Sequence, residues 1–559
     1  MNAFDQYEVW FVTGAQLLYG GDAVIAVDAH SNEMVAGLNA SGKLPVKVVY
    51  KGTVNSSKEV TEAFKAANND EKCIGVITWM HTFSPAKMWI HGLQELKKPL
   101  LHFHTQFNKE IPWDTMDMDF MNLNQSAHGD REFGHIVTRM RKNRKVVVGH
   151  WQDEKAQGQI ATWMRVCAGW ADAQDMLIIR FGDQMNNVAV TDGDKVSAEQ
   201  VLGYHVDYCP VNDLMKYYNA VEDKDVQAMV DTYFKEYDHA PELEKAGTEA
   251  YTKVWNSAKA EIALRRILKD TGAKAFTTNF NDLGDFDQIP GLASQRLMEE
   301  GYGFGAEGDW KTAALYRTTW FMSQGMPKGC SFLEDYTLHF DGEKSAILQA
   351  HMLEVCPLIA EAKPKLEVHR LSIGIDSETA RLVFTSKQGE GVAATIVDLG
   401  NRFRLIVNKV ECIKSKPLPK LPVASALWIP MPNLFPEGDA LPMYNTVDAA
   451  LLFLDVVYEY YLETGDLEFV CEAFPVMEDI VFWYQKGTDF HIKMDSDGLI
   501  MAGGGLEQVT WMDVRIDKEL PTPRHGKPVE INAYWYNGLR ILEELAPFVG
   551  KDGSAYGKL

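Results

Sequence analysis

Short apolar runs alternate with longer amphipathic stretches over residues 7–325. The apolar runs read YEVWFVTG, LPVKVVYKG, KCIGVITWM, KPLLHFHT, RKVVVGHW, DMLIIRFG and AKAFTTNF. Continuous apolar runs of this length, separated by helix-like segments, are typical of parallel strands covered on both faces. The pattern therefore predicts two consecutive α/β domains, which divide near Ala173.

After Gly325 the pattern changes to strands in close succession with little helix between them. The runs here are SFLEDYTLHF, AILQAHMLEV, KLEVHRLSI, ARLVFTS, GVAATIVDLG and RFRLIVNKVECI. Strands separated only by turn residues favour an antiparallel sandwich or barrel. A β-domain is therefore predicted from residue 326 to about residue 433.

The stretch ALWIPMPNLFPEGDALPMYNTVDAA, residues 426–450, precedes a third pattern of long apolar and aromatic helices. These read VDAALLFLDVVYEYYLETG, DLEFVCEAFPVMEDIVFWYQKG and INAYWYNGLRILEELAPFVG. Each ends at glycine, the usual residue just past a helix C-terminus. Because no strand returns to pair with the β-region, the pattern indicates two different folds joined by a seam at residues 430–436.

The composition is that of an ordinary globular protein, with 46% hydrophobic and 24% charged residues. The formal net charge of −23 argues against nucleic acid or an anionic membrane as the main partner, because both attract clustered Lys and Arg. The N-terminus lacks a basic segment followed by a long apolar one, and no later run approaches the length of a membrane span. A small neutral molecule is the expected partner, and the cytoplasm the expected location.

The segment GFGAEG matches the spelling of a dinucleotide fingerprint through Gly303, Gly305 and Gly308. That fingerprint requires a strand directly before it, whereas the preceding LASQRLMEEGY reads as a helix. No cofactor binding is predicted at these glycines.

The same loop carries Glu307, and the strand-like SFLEDYTLHF carries Glu334. Side chains alternate along a strand, so Phe332, Glu334 and Tyr336 are expected on one face. His351 falls on the next predicted strand, which allows two carboxylates and one imidazole to converge. Such donors suit a divalent ion such as Mn²⁺, and ordinary structural ion pairing is the alternative.

A second set of polar side chains follows the strands of the first domain. It consists of Gln16, His81, His104, Gln125 and His128. Residues at the C-terminal ends of parallel strands line the usual ligand crevice of an open α/β sheet. A polyhydroxylated ligand is predicted there, and structural hydrogen bonding by these side chains is the alternative.

Long and specific blocks cover residues 1 to about 433. They include YEVWFVTGAQLLYG, HTFSPAKMWI, WDTMDMDFMNLNQSAHGDREFG, GHWQD, VAVTDGDKV, PGLASQRLMEEGYGFGAEGDWKTAAL, SFLEDYTLHF, HMLEVCP and LPKLPVASALW. In these blocks the chain resembles the L-arabinose isomerase family. The resemblance implies an intramolecular oxidoreductase that interconverts L-arabinose and L-ribulose, with D-galactose to D-tagatose as a side activity.

The resemblance also implies roles for particular residues. Glu307, Glu334 and His351 correspond to ligands of Mn²⁺, and the two glutamates also to the acid/base pair. Moving hydrogen from C2 to C1 through an enediol needs a base for the proton and a divalent ion for the developing oxyanion. The family forms a homohexamer in which four residues of one subunit reach the sugar site of its neighbour, here Gln16, Phe83, Gln125 and His128.

A fourth metal ligand of the family, a His from a glycine-flanked pair of histidines, has no counterpart in this chain. Beyond His351 the histidines are His369, His491 and His525, and none has that context. Metal affinity depends on ligand number and geometry. Reduced or absent isomerase activity is therefore expected.

From about Leu434 a different set of blocks follows: PNLFPEG, YNTVDAALLF, WYQKGTDFHI, DGLIMAG, TWMDVR and TPRHGKPVEINAYWYN. They resemble the C-terminal glucosidase region of glycogen debranching enzymes, an (α/α)6 toroid that hydrolyses α-1,6-linked glucose. The resemblance implies Asp513 as general acid, with Arg524, His525 and Glu530 in the sugar pocket. Three helices are too few to close such a toroid.

The predicted fold is thus two Rossmann-like α/β domains at residues 1–173 and 174–325, an incomplete antiparallel β-barrel domain of isomerase type at 326–433, and a partial toroid-type helical segment at 434–559. Sugar isomerisation is the predicted function. The alternatives are a fragmentary amylo-α-1,6-glucosidase and an inactive fusion whose open β-edge favours association.

Overall fold

The computed structural model describes residues 3–327, 329–341, 344–430, 446–505, 507–511, 514 and 520–559. The chain divides into two compact units, Met1–Met431 (unit 1) and Pro432–Leu559 (unit 2). This division lies within the predicted seam. The other predicted domain boundaries stay predictions.

The first sheet of unit 1 has five parallel strands in the order β2-β1-β3-β4-β5. The strands are β1 (Glu8–Gly14), β2 (Lys47–Val54), β3 (Cys73–Met80), β4 (Leu100–His104) and β5 (Lys145–Val148). The helices of this part are α1 (Gly21–Ala40), α2 (Ser57–Asn69), α3 (Ile90–Glu95), α4 (Met118–Leu123), α5 (Ser126–Arg139) and α6 (Glu154–Ala173).

Strand β1 shows why the apolar runs are continuous. Val9 and Phe11 belong to one hydrophobic core, whereas Trp10 and Val12 belong to another. Successive side chains of a strand point to opposite faces, so the sheet buries both of its faces. The predicted parallel strands of this part are confirmed.

A second parallel sheet has the order β10-β9-β6-β7. Its strands are β6 (Met176–Phe181), β7 (Tyr204–Cys209), β9 (Ala275–Thr277) and β10 (Gly303–Gly305), while β8 (Asp238–His239) joins another sheet. The helices are α7 (Lys195–Leu202), α8 (Val211–Asn219), α9 (Asp223–Glu236), α10 (Glu249–Thr271), α11 (Gly291–Glu299) and α12 (Trp310–Met322). The sequence pattern predicted β6 and β9 but missed β7, an edge strand whose side chains are mostly exposed or half-buried.

The remainder of unit 1 is built from antiparallel strands, as predicted. They are β11 (Glu334–Asp341), β12 (Lys344–Ala350), β13 (Lys365–Leu371), β14 (Ser377–Val383), β15 (Gly389–Asp398), β16 (Phe403–Ile413) and β17 (Ser425–Pro430). One sheet has the order β11-β12-β17-β16-β15, and a second has β14-β13-β8. The predicted closure toward a barrel stays a prediction, because these described strands form two sheets.

Unit 2 contains the three predicted helices, α13 (Ala449–Thr464), α14 (Leu467–Lys486) and α15 (Val529–Leu545). A short hairpin joins β18 (Lys493–Met494) to β19 (Ile500–Met501). Leu454, Phe474 and Trp535, one from each helix, are buried in a common core. The helical character is confirmed, while the toroid type stays a prediction. Within the described ranges, no helix combines the length and the apolar character that crossing a membrane requires.

A buried charge network holds three helices of unit 1 together. Glu261 of α10 accepts hydrogen bonds from the Tyr233 hydroxyl of α9 at 2.6 Å and from Arg296 Nε of α11 at 2.9 Å. Arg265 Nη2 adds a third bond to this carboxylate at 2.6 Å. Without Glu261, Arg296 would keep only its ion pair with Glu236 and Arg265 only its ion pair with Glu300. The buried Tyr233 hydroxyl would lose its acceptor.

Replacing Glu261 by Ala is expected to lower the free energy of unfolding of unit 1 by about 2–3 kcal/mol, because its hydrogen bonds to two guanidinium groups and one hydroxyl are lost while each guanidinium keeps a second carboxylate. Urea unfolding followed by tryptophan fluorescence measures the change. The control is Glu62→Ala, which breaks an exposed ion pair with Lys58 and should leave the unfolding midpoint almost unchanged. Equal effects of the two substitutions would contradict the importance of the network.

Candidate active site

Glu307 lies in the turn between β10 and α12 and has a left-handed backbone, with φ of 60° and ψ of 21°. A non-glycine residue in this region costs about 1–3 kcal/mol unless its surroundings impose it. Gly308, at φ 86°, has no room for a side chain, because a Cβ there would lie 2.4 Å from Gln184 Cα. A Cβ at Gly305 would lie 2.1 Å from the Asp309 carbonyl oxygen. The glycines of GFGAEG therefore permit this tight turn, and the helix predicted before them is confirmed as α11.

The other end of the turn is fixed by a helix cap. Asp309 accepts hydrogen bonds from Lys311 N at 3.1 Å and Thr312 N at 3.2 Å at the start of α12. Lys311 is itself buried and donates from Nζ to the Asp192 carbonyl oxygen at 2.6 Å. A side-chain cap of this kind satisfies amide groups that have no partner within the helix. The segment that carries Glu307 is thus held on both sides.

Glu334 and His351 lie side by side at the ends of two paired strands. Glu334 opens β11 and is paired with Ala350, the last residue of β12. His351 follows directly, so the prediction that it lies on the strand is wrong by one residue, while its predicted proximity to Glu334 is confirmed. His351 Nε2 lies 3.9 Å from Glu334 Oε2.

Glu354 holds the imidazole of His351 in place, and the sequence analysis missed it. His351 Nδ1 donates to Glu354 Oε2 at 2.6 Å, and both side chains are almost completely buried. A carboxylate on one ring nitrogen fixes the tautomer and leaves the other nitrogen free to act as a ligand. The three-residue spacing of His351 and Glu354 in HMLE was the available signal.

Aromatic rings surround the His351 imidazole. The ring centroids of Phe332, Tyr336 and Phe280 lie 5.1, 6.3 and 6.2 Å from that of His351. Phe332 and Tyr336 thus lie on the side of Glu334, as predicted, although β11 begins only at Glu334 and its register shifts between residues 335 and 337. The rings provide an apolar wall beside the polar cluster.

The electrostatics show that the cluster carries excess negative charge. Burial raises the pKa of Glu307, against the opposing effect of His351. Burial also raises the pKa of Glu334, with the same opposing effect of His351 and a further rise from Glu307. Burial would lower the pKa of His351, but the carboxylates of Glu354, Glu334 and Glu307 together outweigh it and raise that pKa. A bound cation would relieve the repulsion between the carboxylates.

The donor atoms suit a divalent ion, but the structure spreads them more widely than a bound ion would. Among the described residues, no three His, Cys, Asp or Glu side chains form a group that could hold a metal ion as it stands. Ligand bonds of roughly 2.1 Å place neighbouring ligand atoms about 3 Å apart, which is less than the 3.9 Å between His351 Nε2 and Glu334 Oε2. The metal set of Glu307, Glu334 and His351 therefore stays a prediction that requires small side-chain movements.

The second predicted set lies at the C-terminal edge of the first sheet. Its strand order reverses between β1 and β3, the point where open α/β sheets bind ligands. Gln16 follows β1, Phe83 follows β3, and Gln125 and His128 lie at the start of α5. The rings of Phe83 and His128 lie 4.5 Å apart, and Gln125 Nε2 donates to the Tyr19 hydroxyl at 3.2 Å.

Buried polar contacts anchor α5 beneath this edge. Asp130 of α5 accepts hydrogen bonds from His102 Nε2 at 2.8 Å and from Met80 N at 3.3 Å. His104 Nε2 lies 3.7 Å from the same carboxylate. His81 is fully buried and bonded through Nε2 to His30 Nδ1 at 2.8 Å. His81 and His104 thus make structural contacts, which was the alternative to a ligand role.

The two sets are separate within one chain. In the described part of unit 1, no hydrogen bond, ion pair or ring contact joins the edge of the first sheet, represented by Gln125 and His128, to Glu307, Glu334 or His351. The side-chain amide nitrogen of Gln16 is buried without a hydrogen-bond partner among the described residues.

Family models match consecutive parts of the chain. The L-arabinose isomerase N-terminal domain matches residues 3–175, the central domain residues 177–325, and the C-terminal domain residues 329–440. An L-arabinose isomerase of Phocaeicola vulgatus is 76% identical over 478 residues, which are 84% of this chain and 94% of that protein. This chain belongs to the L-arabinose isomerase family. The family resemblance derived from the sequence is thus confirmed.

Further relatives carry the same name. The L-arabinose isomerase of Bacteroides thetaiotaomicron is 74% identical over 84% of this chain and 94% of its own length. That of Herpetosiphon aurantiacus is 52% identical over 77% of this chain and 86% of its own length. A separate model, amylo-alpha-1,6-glucosidase, matches residues 430–559. It overlaps the isomerase C-terminal model over residues 430–440, which contain the predicted seam.

Unit 2 pairs two of the four residues that its glucosidase resemblance singled out. Arg524 forms an ion pair with Glu530, with Nε 2.9 Å from Oε1, and this bond lowers the pKa of Glu530. His525 Nε2 lies 3.0 Å from the Glu507 carbonyl oxygen. Asp513 lies outside the described residues. The sugar-pocket roles of these residues stay predictions.

His81 makes the stability of unit 1 dependent on pH. Burial, and then the neighbouring His30, lower the pKa of His81 from 6.5 to about 3. Between these values the unfolded chain binds a proton that the folded chain does not, so stability falls as the pH falls below 6.5. The contribution is about 1.4 kcal/mol per pH unit over this range.

In a His81→Gln variant this contribution is removed, so between pH 7 and pH 5 the free energy of unfolding should fall by about 2 kcal/mol less than in the wild type. Urea unfolding at several pH values measures the difference. The control is His135→Gln, which changes an exposed histidine and should keep the wild-type pH dependence. A His81→Gln profile parallel to that of the wild type would contradict this role.

Proposed function

We propose that this chain interconverts L-arabinose and L-ribulose by proton transfer through an enediol. The observation that carries the proposal is the cluster of Glu307, Glu334 and His351, in which His351 Nε2 faces the Glu334 carboxylate at 3.9 Å. Relatives up to 76% identical carry the name L-arabinose isomerase. D-galactose is a second substrate of the proposed reaction.

The two glutamates perform the proton transfer. Burial raises the pKa of Glu307 and of Glu334 above that of a free glutamate, which strengthens each carboxylate as a proton acceptor. One carboxylate removes the proton from C2 and returns it to C1, and the other exchanges a proton with the sugar oxygens.

A divalent ion such as Mn²⁺ would be held by Glu307, Glu334 and His351. When bound, it supplies charge stabilisation for the developing oxyanion. Glu354 orients His351 for this role by accepting a hydrogen bond from Nδ1, with Nδ1 and Oε2 2.6 Å apart. His369, which follows His351 in the sequence of unit 1, is not proposed as a fourth ligand, because its Nε2 is bonded to Glu367 Oε2 at 2.6 Å. With three ligands in place of four, the chain is proposed to bind the ion weakly and to turn over slowly.

The sugar site is proposed to form between subunits of a homohexamer. The edge of the first sheet carries Gln16, Phe83, Gln125 and His128 on a ligand-binding crevice, yet makes no contact with the glutamate cluster of its own chain in the described structure. A neighbouring subunit that presents this edge would complete the sugar site. The side-chain amide nitrogen of Gln16, which has no hydrogen-bond partner among the described residues, would then find one in the sugar hydroxyls.

Glu334→Gln is expected to reduce L-ribulose formation from L-arabinose by about 10²-fold or more, because the amide cannot transfer the proton. The assay measures ketose formation with Mn²⁺ varied from micromolar to millimolar concentrations. The control is Glu367→Gln, a carboxylate that also contacts a histidine, His369, but lies outside the cluster. It should retain wild-type turnover.

Two results would contradict the proposal. Undiminished activity of the Glu334→Gln variant would remove this glutamate from the reaction. If the unsubstituted chain reached its maximal turnover already at micromolar Mn²⁺, this result would contradict the proposed weak metal binding that follows from the missing fourth ligand.

A second candidate function is glycogen debranching by unit 2, favoured by the amylo-alpha-1,6-glucosidase match over residues 430–559 and by the Arg524–Glu530 pair. Three helices cannot enclose the sugar pocket of a toroid, so no glucose release from a branched limit dextrin is expected. Release of glucose, measured enzymatically and abolished by Glu530→Gln, would establish the debranching activity. An aggregated profile in size-exclusion chromatography, with neither activity, would indicate the inactive fusion.

A further inference from the structure

The loop after β6 has an unusual backbone. Gly182, Asp183 and Asn187 have φ values of 81°, 65° and 65°. Left-handed conformations at non-glycine residues cost free energy and persist where the surroundings impose them. Gly, Asp and Asn adopt this conformation more readily than other residues, so local preference permits the loop at residues 182–187 and contacts from outside the loop constrain it.

The side chain of Asn279 provides that constraint. Asn279 is buried, with 2% of its surface exposed, and follows β9 at the point where the second sheet reverses its strand order. Its Nδ2 donates to the Gly182 carbonyl oxygen at 2.9 Å and to the Gln184 carbonyl oxygen at 2.8 Å. Its Oδ1 accepts from Asn281 N at 2.8 Å. Both amide hydrogens and the amide oxygen are thus used.

Apolar packing alone cannot hold the loop at residues 182–187 in its conformation, because one side of the loop borders a cavity. A cavity of about 500 Å³ is lined by residues from both sides of the crevice, among them Gly182, Gln184 and Asn279. A loop with a cavity on one side has few apolar contacts, so its conformation depends on its polar contacts.

The loop in turn holds the backbone of Glu307. Met185 N donates to the Glu307 carbonyl oxygen at 3.0 Å, and Gly308 N donates to the Thr278 carbonyl oxygen at 3.1 Å. Thr278 is the residue next to Asn279. The carbonyl and the N–H of the single peptide group between Glu307 and Gly308 are therefore both bonded to segments that Asn279 joins.

We propose that Asn279 is a positioning residue for Glu307, acting through the loop at residues 182–187. Asn279 does not touch the reacting groups. Its amide fixes the loop, the loop fixes the carbonyl of Glu307, and the left-handed backbone of Glu307 then sets the direction of its carboxylate. That this direction matters for catalysis rests on the proposed isomerase function, whereas the mechanical coupling does not.

The test compares Asn279→Asp with Gln288→Glu in the full chain. Each substitution replaces a buried amide by a carboxylate at a position where the amide nitrogen donates to a backbone carbonyl oxygen. In Gln288 this donor is Nε2, which lies 2.7 Å from the Lys253 carbonyl oxygen. Gln288 has no bond to the loop or to the Glu307 turn. A second variant, Asn279→Ala, removes the same donors without introducing charge.

Hydrogen–deuterium exchange with mass spectrometry is the metal-independent measurement. In both Asn279 variants, peptides covering residues 182–187 and residues 303–309 should exchange about tenfold faster or more than in the wild type. In Gln288→Glu both peptides should keep wild-type rates. Faster exchange confined to residues 182–187, or the same acceleration in Gln288→Glu, would overturn the proposal.

Mn²⁺ binding, followed by electron paramagnetic resonance, gives a separate result. The Asn279 variants should bind Mn²⁺ several-fold more weakly than the wild type and Gln288→Glu. Failure of the wild-type chain to bind Mn²⁺ would count against the proposed function, while the exchange data would still decide the role of Asn279.

Discussion

The hydrogen bond between His351 and Glu354 is the contact on which the candidate site depends. An imidazole buried among aromatic rings would otherwise be free to rotate or to present either ring nitrogen. The Glu354 carboxylate accepts a hydrogen bond from Nδ1, with the two heavy atoms 2.6 Å apart, and so directs Nε2 toward Glu334. Because the pair is buried, this contact is not weakened by solvent, and the charge of Glu354 adds to that of Glu307 and Glu334.

The rest of the site follows from where parallel strands end. Glu307 comes after β10 at the edge of the second sheet, and the loops after β6 and β9 meet at the same edge. The sheet itself is rigid, because it is buried on both faces, but the loops beyond it are not. Their conformation is set by glycines without room for a side chain, by the Asp309 cap and by the Asn279 amide. Strain in the Glu307 backbone is thus balanced by several hydrogen bonds from neighbouring segments.

The two units differ in what the described structure supports. Unit 1 has two parallel sheets, the loops at their C-terminal edges and the buried pair of His351 and Glu354. Unit 2 has one hydrophobic core shared by three helices, with large apolar side chains such as Phe482 and Tyr536 left exposed. A helical unit that leaves such residues exposed has less apolar surface buried per residue than a closed toroid would have.

The sequence by itself determined the parallel strands, the three C-terminal helices, the change of fold near residue 431 and the family. Each of these leaves a local pattern: continuous apolar runs, glycine after a helix, or long matching blocks. It also pointed to Glu307, Glu334 and His351, although it placed His351 on β12 rather than just past its end. Strand β7 was missed because an exposed edge strand has no apolar run.

Only the tertiary structure decided the roles of Glu354 and Asn279, the left-handed backbone of Glu307, and the structural use of His81 and His104. These features depend on contacts between segments that are distant in sequence, such as Asn279 with the loop at residues 182–187. A buried Asn is the same residue in the sequence whether its amide binds a ligand or a backbone carbonyl oxygen. A buried Glu is the same residue whether its carboxylate binds a ligand or another side chain. Its partner, which decides its role, is fixed only when the chain has folded.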